Sequence, residues 1–143
     1  MADTAYSETL AEPVATPGET PTVLVVDADP AMVESLAMLL EGYGFCVLTA
    51  PDGVRALEVF REQSPSVVVT DIMMPDPDGI GAILQMRRER PDVKIIALSG
   101  GGRVIKSDYL TAAEELGADS ALAKGQDNHV LIETLSKLLM AAA

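Results

Sequence analysis

Short apolar runs that stop at a polar residue recur along this chain, each followed by a stretch with helical periodicity. Val23-Leu24-Val25-Val26 is the first such run and ends at Asp27. A run this short and this rich in β-branched residues predicts a buried strand. Pro30 at a first helical position, with Asp29 before it as N-cap, opens a helix over Ala31 to Glu41, which Gly42 and Gly44 stop. Phe45 to Thr49 predicts a second strand, and Gly53 to Glu62 a second helix with Val54, Leu57 and Phe60 facing inward. Ser66 to Thr70 is a third strand that leads to Asp71, and the Pro75/Pro77/Gly79 cluster after it forces a loop.

The alternation continues to the end. Gly79 to Arg90 predicts a third helix closed by Pro91, and Val93 to Leu98 a fourth strand that runs into Ser99-Gly100-Gly101-Gly102. A fourth helix is expected from Lys106 or Ser107 to Leu116, ended by Gly117. Ser120 to Ala123 is a short fifth strand ending at Lys124, and Asp127 caps a final helix to about Ala141. Five strand–helix units with short joins imply an α/β fold, a doubly wound five-stranded parallel sheet with helices on both faces. Residues 1–21 stand apart. They are rich in Ala, Thr, Glu and Pro, contain four acids and no Lys or Arg, and show no periodicity, so a disordered N-terminal tail is expected there, with a single domain over 22–143.

Composition narrows the function classes. Ten Lys plus Arg against 22 Asp plus Glu give a net charge of -12, of which -8 remains once the tail is set aside. That charge opposes binding to nucleic acid or to an anionic membrane. No apolar run approaches a membrane span, and the amino terminus lacks the basic start and apolar segment of a secretory signal. The single cysteine, Cys46, precludes an internal disulfide and fits a reducing, cytoplasmic compartment; its apolar neighbours predict a packed core thiol.

Asp27, Asp71, Ser99 and Lys124 fall at the carboxyl ends of strands one, three, four and five. In an open parallel sheet those ends share one edge, so four residues scattered in sequence converge on one pocket. The chemistry this set suggests is phosphoryl transfer to a carboxylate. Asp71 would be the nucleophile, and Asp27 would help hold a divalent cation. Ser99 would give a hydroxyl hydrogen bond to one phosphoryl oxygen, and Lys124 a point charge to another.

The segments Val23–Asp27, Val67–Gly79, Leu98–Ser99 and Ala123–Lys124, in this order, resemble the receiver domain of two-component response regulators. Thr70-Asp71-Ile72-Met73-Met74-Pro75 with Asp78-Gly79 carries most of the likeness, and Leu116-Gly117-Ala118-Asp119 also fits. The resemblance covers about residues 22–142 and implies a flavodoxin-like sheet of the receiver type. It implies that Asp71 accepts a phosphoryl group from a phosphohistidine on a sensor histidine kinase or histidine phosphotransfer protein, within a phosphorelay. Mg2+ would be held by Asp27, Asp71 and the Met73 carbonyl. With no DNA-binding or enzymatic segment after the final helix, the expectation is a stand-alone, non-enzymatic receiver that signals through protein partners.

The chain departs from the family pattern in three places. Asp27-Ala28 stands where two adjacent acids are usual, and the missing second acid is the one that normally touches the metal. Asp29 is the nearest substitute, but N-capping competes for it. Ala121 stands where a switch aromatic is expected, and Gly125 follows Lys124 where proline is common; without proline a cis bond would cost roughly 2.5–4 kcal/mol, so a trans bond is expected. Two other readings follow. One is a pseudo-receiver, an interaction module that is not phosphorylated. The other is a haloacid-dehalogenase-like phosphatase, since Asp27-Ala28-Asp29 matches its Asp-x-Asp start.

The other polar and apolar features have plainer readings. His129 is a solvated histidine, Met32, Met38, Met73, Met74 and Met86 are fillers of core or loop, and Arg87-Arg88-Glu89-Arg90 is a charged helix end with a kinase-docking patch as a secondary use. Gly100-Gly101-Gly102 lacks the Lys-Ser/Thr of a P-loop and gives the loop after Ser99 freedom to move. The fourth helix, fifth strand and last helix, with Tyr109, Leu110, Leu122, Leu131, Leu138 and Leu139, form the expected face for a protein partner or a homodimer.

Overall fold

Strand-forming runs and helical periods resolve into five strands and four helices among the described residues of a computed structural model, which describes residues 21–72, 79–99, 115, 117–123 and 128–142. In chain order these are β1 (Thr22–Val26), α1 (Pro30–Gly42), β2 (Cys46–Ala50), α2 (Gly53–Gln63), β3 (Val67–Asp71), α3 (Gly79–Glu89), β4 (Lys94–Ser99), β5 (Ser120–Ala123) and α4 (Asn128–Ala142). The strands form one parallel sheet in the order β2-β1-β3-β4-β5. This is the doubly wound, flavodoxin-like arrangement that the alternation predicts. Glu115 is helical, in line with the fourth predicted helix; most of that helix, the tail over 1–20 and the loops with Met73, Gly100–Gly102, Lys124 and Gly125 lie outside the described residues.

Each strand alternates its side chains between two apolar layers. Leu24, Val26, Val68, Ile95 and Ala97 pack with Ala56, Val59, Phe60, Ile83 and Met86 of α2 and α3. Val23, Val25, Val67, Val69, Ile96 and Leu98 pack with Leu36 and Leu40 of α1 and with Leu131, Ile132 and Leu135 of α4. Because both faces are covered, the central strands are apolar at nearly every position. β3 is buried over its full length, Asp71 included.

Four expectations need correction. Val54 is 53% exposed; the inward face of α2 is Gly53, Ala56, Val59 and Phe60, one residue out of phase with it. Cys46 is exposed, because β2 is an edge strand and Phe45 takes the core position beside it. Met38 is exposed on α1, whereas Met86 is buried and Met32 packs against the core. Leu131 is core rather than surface, so the expected partner face loses it.

The charged end of α3 is a set of ties to distant parts of the chain. The Arg87 guanidinium donates to the carbonyls of Gly117 (3.0 and 2.7 Å), Pro91 (2.7 Å) and Val93 (2.6 Å), and to the Asp119 carboxylate (2.7 Å). Asp119 also accepts from the Ile95 N–H at 2.8 Å, which couples the start of β4 to the approach to β5. Gly117 has φ +139°, a conformation that favours glycine, and a Cβ there would rest in ordinary contact with the Arg87 Cβ and Cγ at 3.4 Å. Arg90 lies over the Phe60 ring, 4.9 Å from its centroid, and donates to the Pro65 carbonyl. Arg61 on α2 pairs with Glu89 at 2.6 Å, and Gln85 donates to the same carboxylate.

Two predictions follow from these ties. Removing Arg87 leaves partly buried carbonyls and the Asp119 carboxylate without their donor, at a cost of about 1–3 kcal/mol. Arg87→Met should therefore lower the urea midpoint clearly, while Arg88→Met, on the exposed side of the helix, should change stability by less than about 0.5 kcal/mol. Equal effects would refute the clamp. The second concerns acid. The Arg61 guanidinium, aided by the Gln85 amide, holds the Glu89 carboxyl down to about 2 from its ordinary 4.5. Since the folded value is the lower one, the stabilisation is complete above about pH 4.5 and is lost as pH falls toward 2. A carboxyl titration by NMR should show this depressed value in the parent and a return toward the ordinary value in Arg61→Gln.

Candidate functional site

β1 and β3 are hydrogen-bonded neighbours, and their register sets Val25 opposite Val69 and Val26 opposite Thr70. The next residue on each is an acid, so Asp27 and Asp71 come to the same level on adjacent strands at the carboxyl edge of the sheet. Both are buried, Asp27 at 2% and Asp71 at 5% exposure. The Asp27 N–H donates to the Ala50 carbonyl at 3.2 Å, which carries the β1–β2 pairing one residue past the strand. On the other side the Ile72 N–H donates to the Leu98 carbonyl at 3.0 Å and fixes the chain just after Asp71. The buried Thr70 hydroxyl donates to the Asp71 carbonyl at 3.1 Å.

The turn after Asp27 holds that carboxylate in place. The Asp29 N–H donates to Asp27 Oδ1 at 2.9 Å, and Asp29 Oδ1 in turn accepts from the Ala31 N–H at 3.0 Å as the N-cap of α1. Pro30 follows at the first helical position, where its missing N–H costs nothing. Asp29 is exposed, and its Oδ1 caps α1 beside the position of Ala28, where the second acid is absent. Sequence reasoning identified the cap but missed its second function, the backbone bond that orients Asp27. An Asp-x-Asp-Pro turn is the signal that could have shown it.

Ser99 is the last residue of β4, opposite Ala123 at the end of β5. Its backbone therefore lies on the same edge as the two acids, with Lys124 directly after Ala123 in sequence; Lys124 and Met73 are outside the described residues. Ala121 sits in β5 opposite Ala97 and packs, half-buried, against the apolar layer of α2 and α3. His129 is exposed at the start of α4.

The donor set fits a small hard cation. Two buried carboxylates side by side offer oxygen ligands and a charge that a divalent ion offsets, which is the chemistry Mg2+ favours. Among the described residues no three His, Cys, Asp or Glu side chains gather into a metal group. Among the described residues the acids at this edge are Asp27 and Asp71, and exposed Ala28 stands where the resemblance would place another. No helix among the described residues is long and apolar enough to cross a membrane.

Comparison with known proteins agrees with this geometry. The family model of the response regulator receiver domain matches residues 23–136. The probable transcriptional regulatory protein TcrX of Mycobacterium tuberculosis is 39% identical over 82 residues, covering 57% of this chain and 35% of that protein. The probable transcriptional regulator ycf27 of Guillardia theta is 41% identical over 102 residues, covering 71% of this chain and 39% of that protein. The chain thus matches well under half the length of these curated relatives. Among solved structures, the receiver domain of the Francisella response regulator 1452 superposes with a TM-score of 0.78 at 27% identity, over 87% of this chain and 100% of that one. A fold with two buried acids at one strand edge, and a family match over nearly the whole described domain, lead to one assignment: the chain belongs to the response regulator receiver domain family of two-component systems.

Proposed function

We propose that this receiver domain accepts a phosphoryl group on Asp71 from a sensor histidine kinase or a histidine phosphotransfer protein and passes the signal on by binding a protein partner. The observation that carries this reading is the β1–β3 register, which aligns buried Asp27 and Asp71 at the carboxyl edge. An Asp71 carboxylate oxygen attacks phosphorus as the P–N bond of the phosphohistidine breaks, and the electron pair of that bond stays on the imidazole nitrogen. The product is an acyl phosphate on Asp71 and a free histidine on the donor. Asp27, Asp71 and the Met73 carbonyl would hold Mg2+, which when bound offsets the negative charge gathered on the phosphoryl oxygens. The Ser99 hydroxyl and the Lys124 ammonium would receive the phosphoryl oxygens from the β4 and β5 ends. This is signalling rather than turnover, in a cytoplasmic setting, with the last helix and β5 contributing Leu122, Leu138 and Leu139 to a partner or homodimer face.

A second reading is a receiver that binds partners without phosphorylation. Ala28, exposed where a metal-binding acid would stand, and Ala121, small where an aromatic would couple the site to β5, favour it. Against the phosphatase reading, the Asp29 Oδ1 of its Asp-x-Asp start is engaged in capping α1.

Incubation with a small acyl phosphate and Mg2+, read by intact mass, separates the three. A stable one-phosphate mass gain that Asp71→Asn abolishes is the expected result. Continuous release of inorganic phosphate would point to a phosphatase, and no change to an interaction module. Ala28→Asp adds an anionic ligand beside Asp27. Mutual repulsion among three acids opposes the gain, but the doubly charged ion outweighs it. Ala28→Asp should tighten Mg2+ binding by about tenfold or more, measured by calorimetry, and speed labelling of Asp71. Unchanged affinity would remove Ala28 from the metal site.

A further inference from the structure

A groove of about 440 Å³ opens beside the acid edge, between α1 and the end of β2. Pro30, Val33 and Ala37 form its α1 wall, and Ala50 and Pro51 face them. Glu34 and Thr49, both exposed, stand on its rim, and Asp27 and Ala28 close its inner end. β2 is the sheet's edge strand, so the groove runs along an open flank of the molecule, at the opposite edge from β5.

Both charged residues in the groove's lining, Asp27 and Glu34, are acids. From Thr22 to Val54, the stretch that builds β1, α1, β2 and the start of α2, the chain has five acids and no Lys or Arg. The first cation after it, Arg55, is paired with Glu58 at 2.8 Å. An apolar trough with an acidic border favours an occupant that is both apolar and cationic. The same charge repels the chain's own residues 1–21, with their four acids and no Lys or Arg, and it repels nucleic acid and anionic lipid.

We propose that the α1–β2 groove is a docking site for a basic, amphipathic segment of a partner protein. Aliphatic side chains of the segment seat against Val33, Ala37, Ala50 and Pro51, and a Lys or Arg pairs with Glu34 on the rim. The groove shares Asp27 with the acid edge, but its occupation requires neither phosphoryl acceptance nor a metal. Its occupant would nevertheless lie against Asp27 and Ala28, next to the acid pair.

The test uses the full, unphosphorylated chain without added metal, so its outcome is independent of the Asp71 reading. The probe is a synthetic amphipathic peptide of Lys and Leu, with a Lys/Ser peptide of equal charge as control, titrated into isotope-labelled protein and followed by NMR. The Lys/Leu peptide should shift the amides of Val33, Ala37, Thr49 and Ala50 first, and bind at least about tenfold more tightly than the control. Glu34→Lys and Thr49→Lys, both at exposed positions, should each weaken it about tenfold or more in protein that keeps its folded spectrum. Shifts scattered over the surface, equal binding of the Lys/Ser peptide, or affinity unchanged by both substitutions would overturn the proposal.

Discussion

The pairing of β1 with β3 is the constraint on which the rest of the structure depends. Parallel register with Val26 opposite Thr70 leaves no freedom in where the following acids go: Asp27 and Asp71 end at one level, on adjacent strands, out of solvent. A slip of one residue would send every side chain of the slipped strand to the other layer, exchanging the partners of α1 and α4 for those of α2 and α3. The two apolar layers therefore enforce the register, and the register enforces the acid pair. Burying two like charges is costly on its own. The fold accepts that cost at the one edge where a cation and a phosphoryl group would enter.

The two ends of the sheet are built differently. At the amino ends of β4 and β5, Arg87 gathers three carbonyls and Asp119 into a tie that joins α3 to both strands. At the carboxyl ends, among the described residues, backbone bonds from Asp27 to Ala50 and from Ile72 to Leu98 continue the strand pairing, and the Asp27–Asp29–Ala31 turn adds side-chain contacts. Helix capping helps to shape the acid edge. One residue, Asp29, thus serves both α1 and the orientation of Asp27.

Much of this was legible in the sequence, and the failures share a cause. Strand ends, the Asp29 cap, the parallel class and the acids at strand termini follow from local signals such as β-branched runs, Pro30 and the alternation of periods. Position within the sheet does not. Cys46 lies in an apolar run, yet β2 is an edge strand, and only the strand order reveals the exposure. Val54 is apolar and near the inward face of α2, but a helix turns 100° per residue and the buried stripe begins at Gly53. Arg87 and Arg90 read only as part of a charged helix end because their partners, Gly117, Asp119, Pro65 and Phe60, are distant in sequence. The absence of a second acid at Ala28 and the Asp29 cap were readable at once, whereas the bond from the Asp29 N–H to Asp27 needed the geometry of the turn.

The central claim is that Asp27 and Asp71 act together as one cation-binding pair. Paramagnetic Mn2+, a hard divalent ion that takes oxygen ligands as Mg2+ does, tests it directly when added in small amounts to isotope-labelled protein. The account predicts that the amides of Asp27, Asp71 and Ile72 broaden together before any others, and that Asp27→Asn removes the effect at Asp71 as well. Broadening centred on surface acids such as Glu58 and Glu62, with Asp27 and Asp71 unaffected, would contradict it.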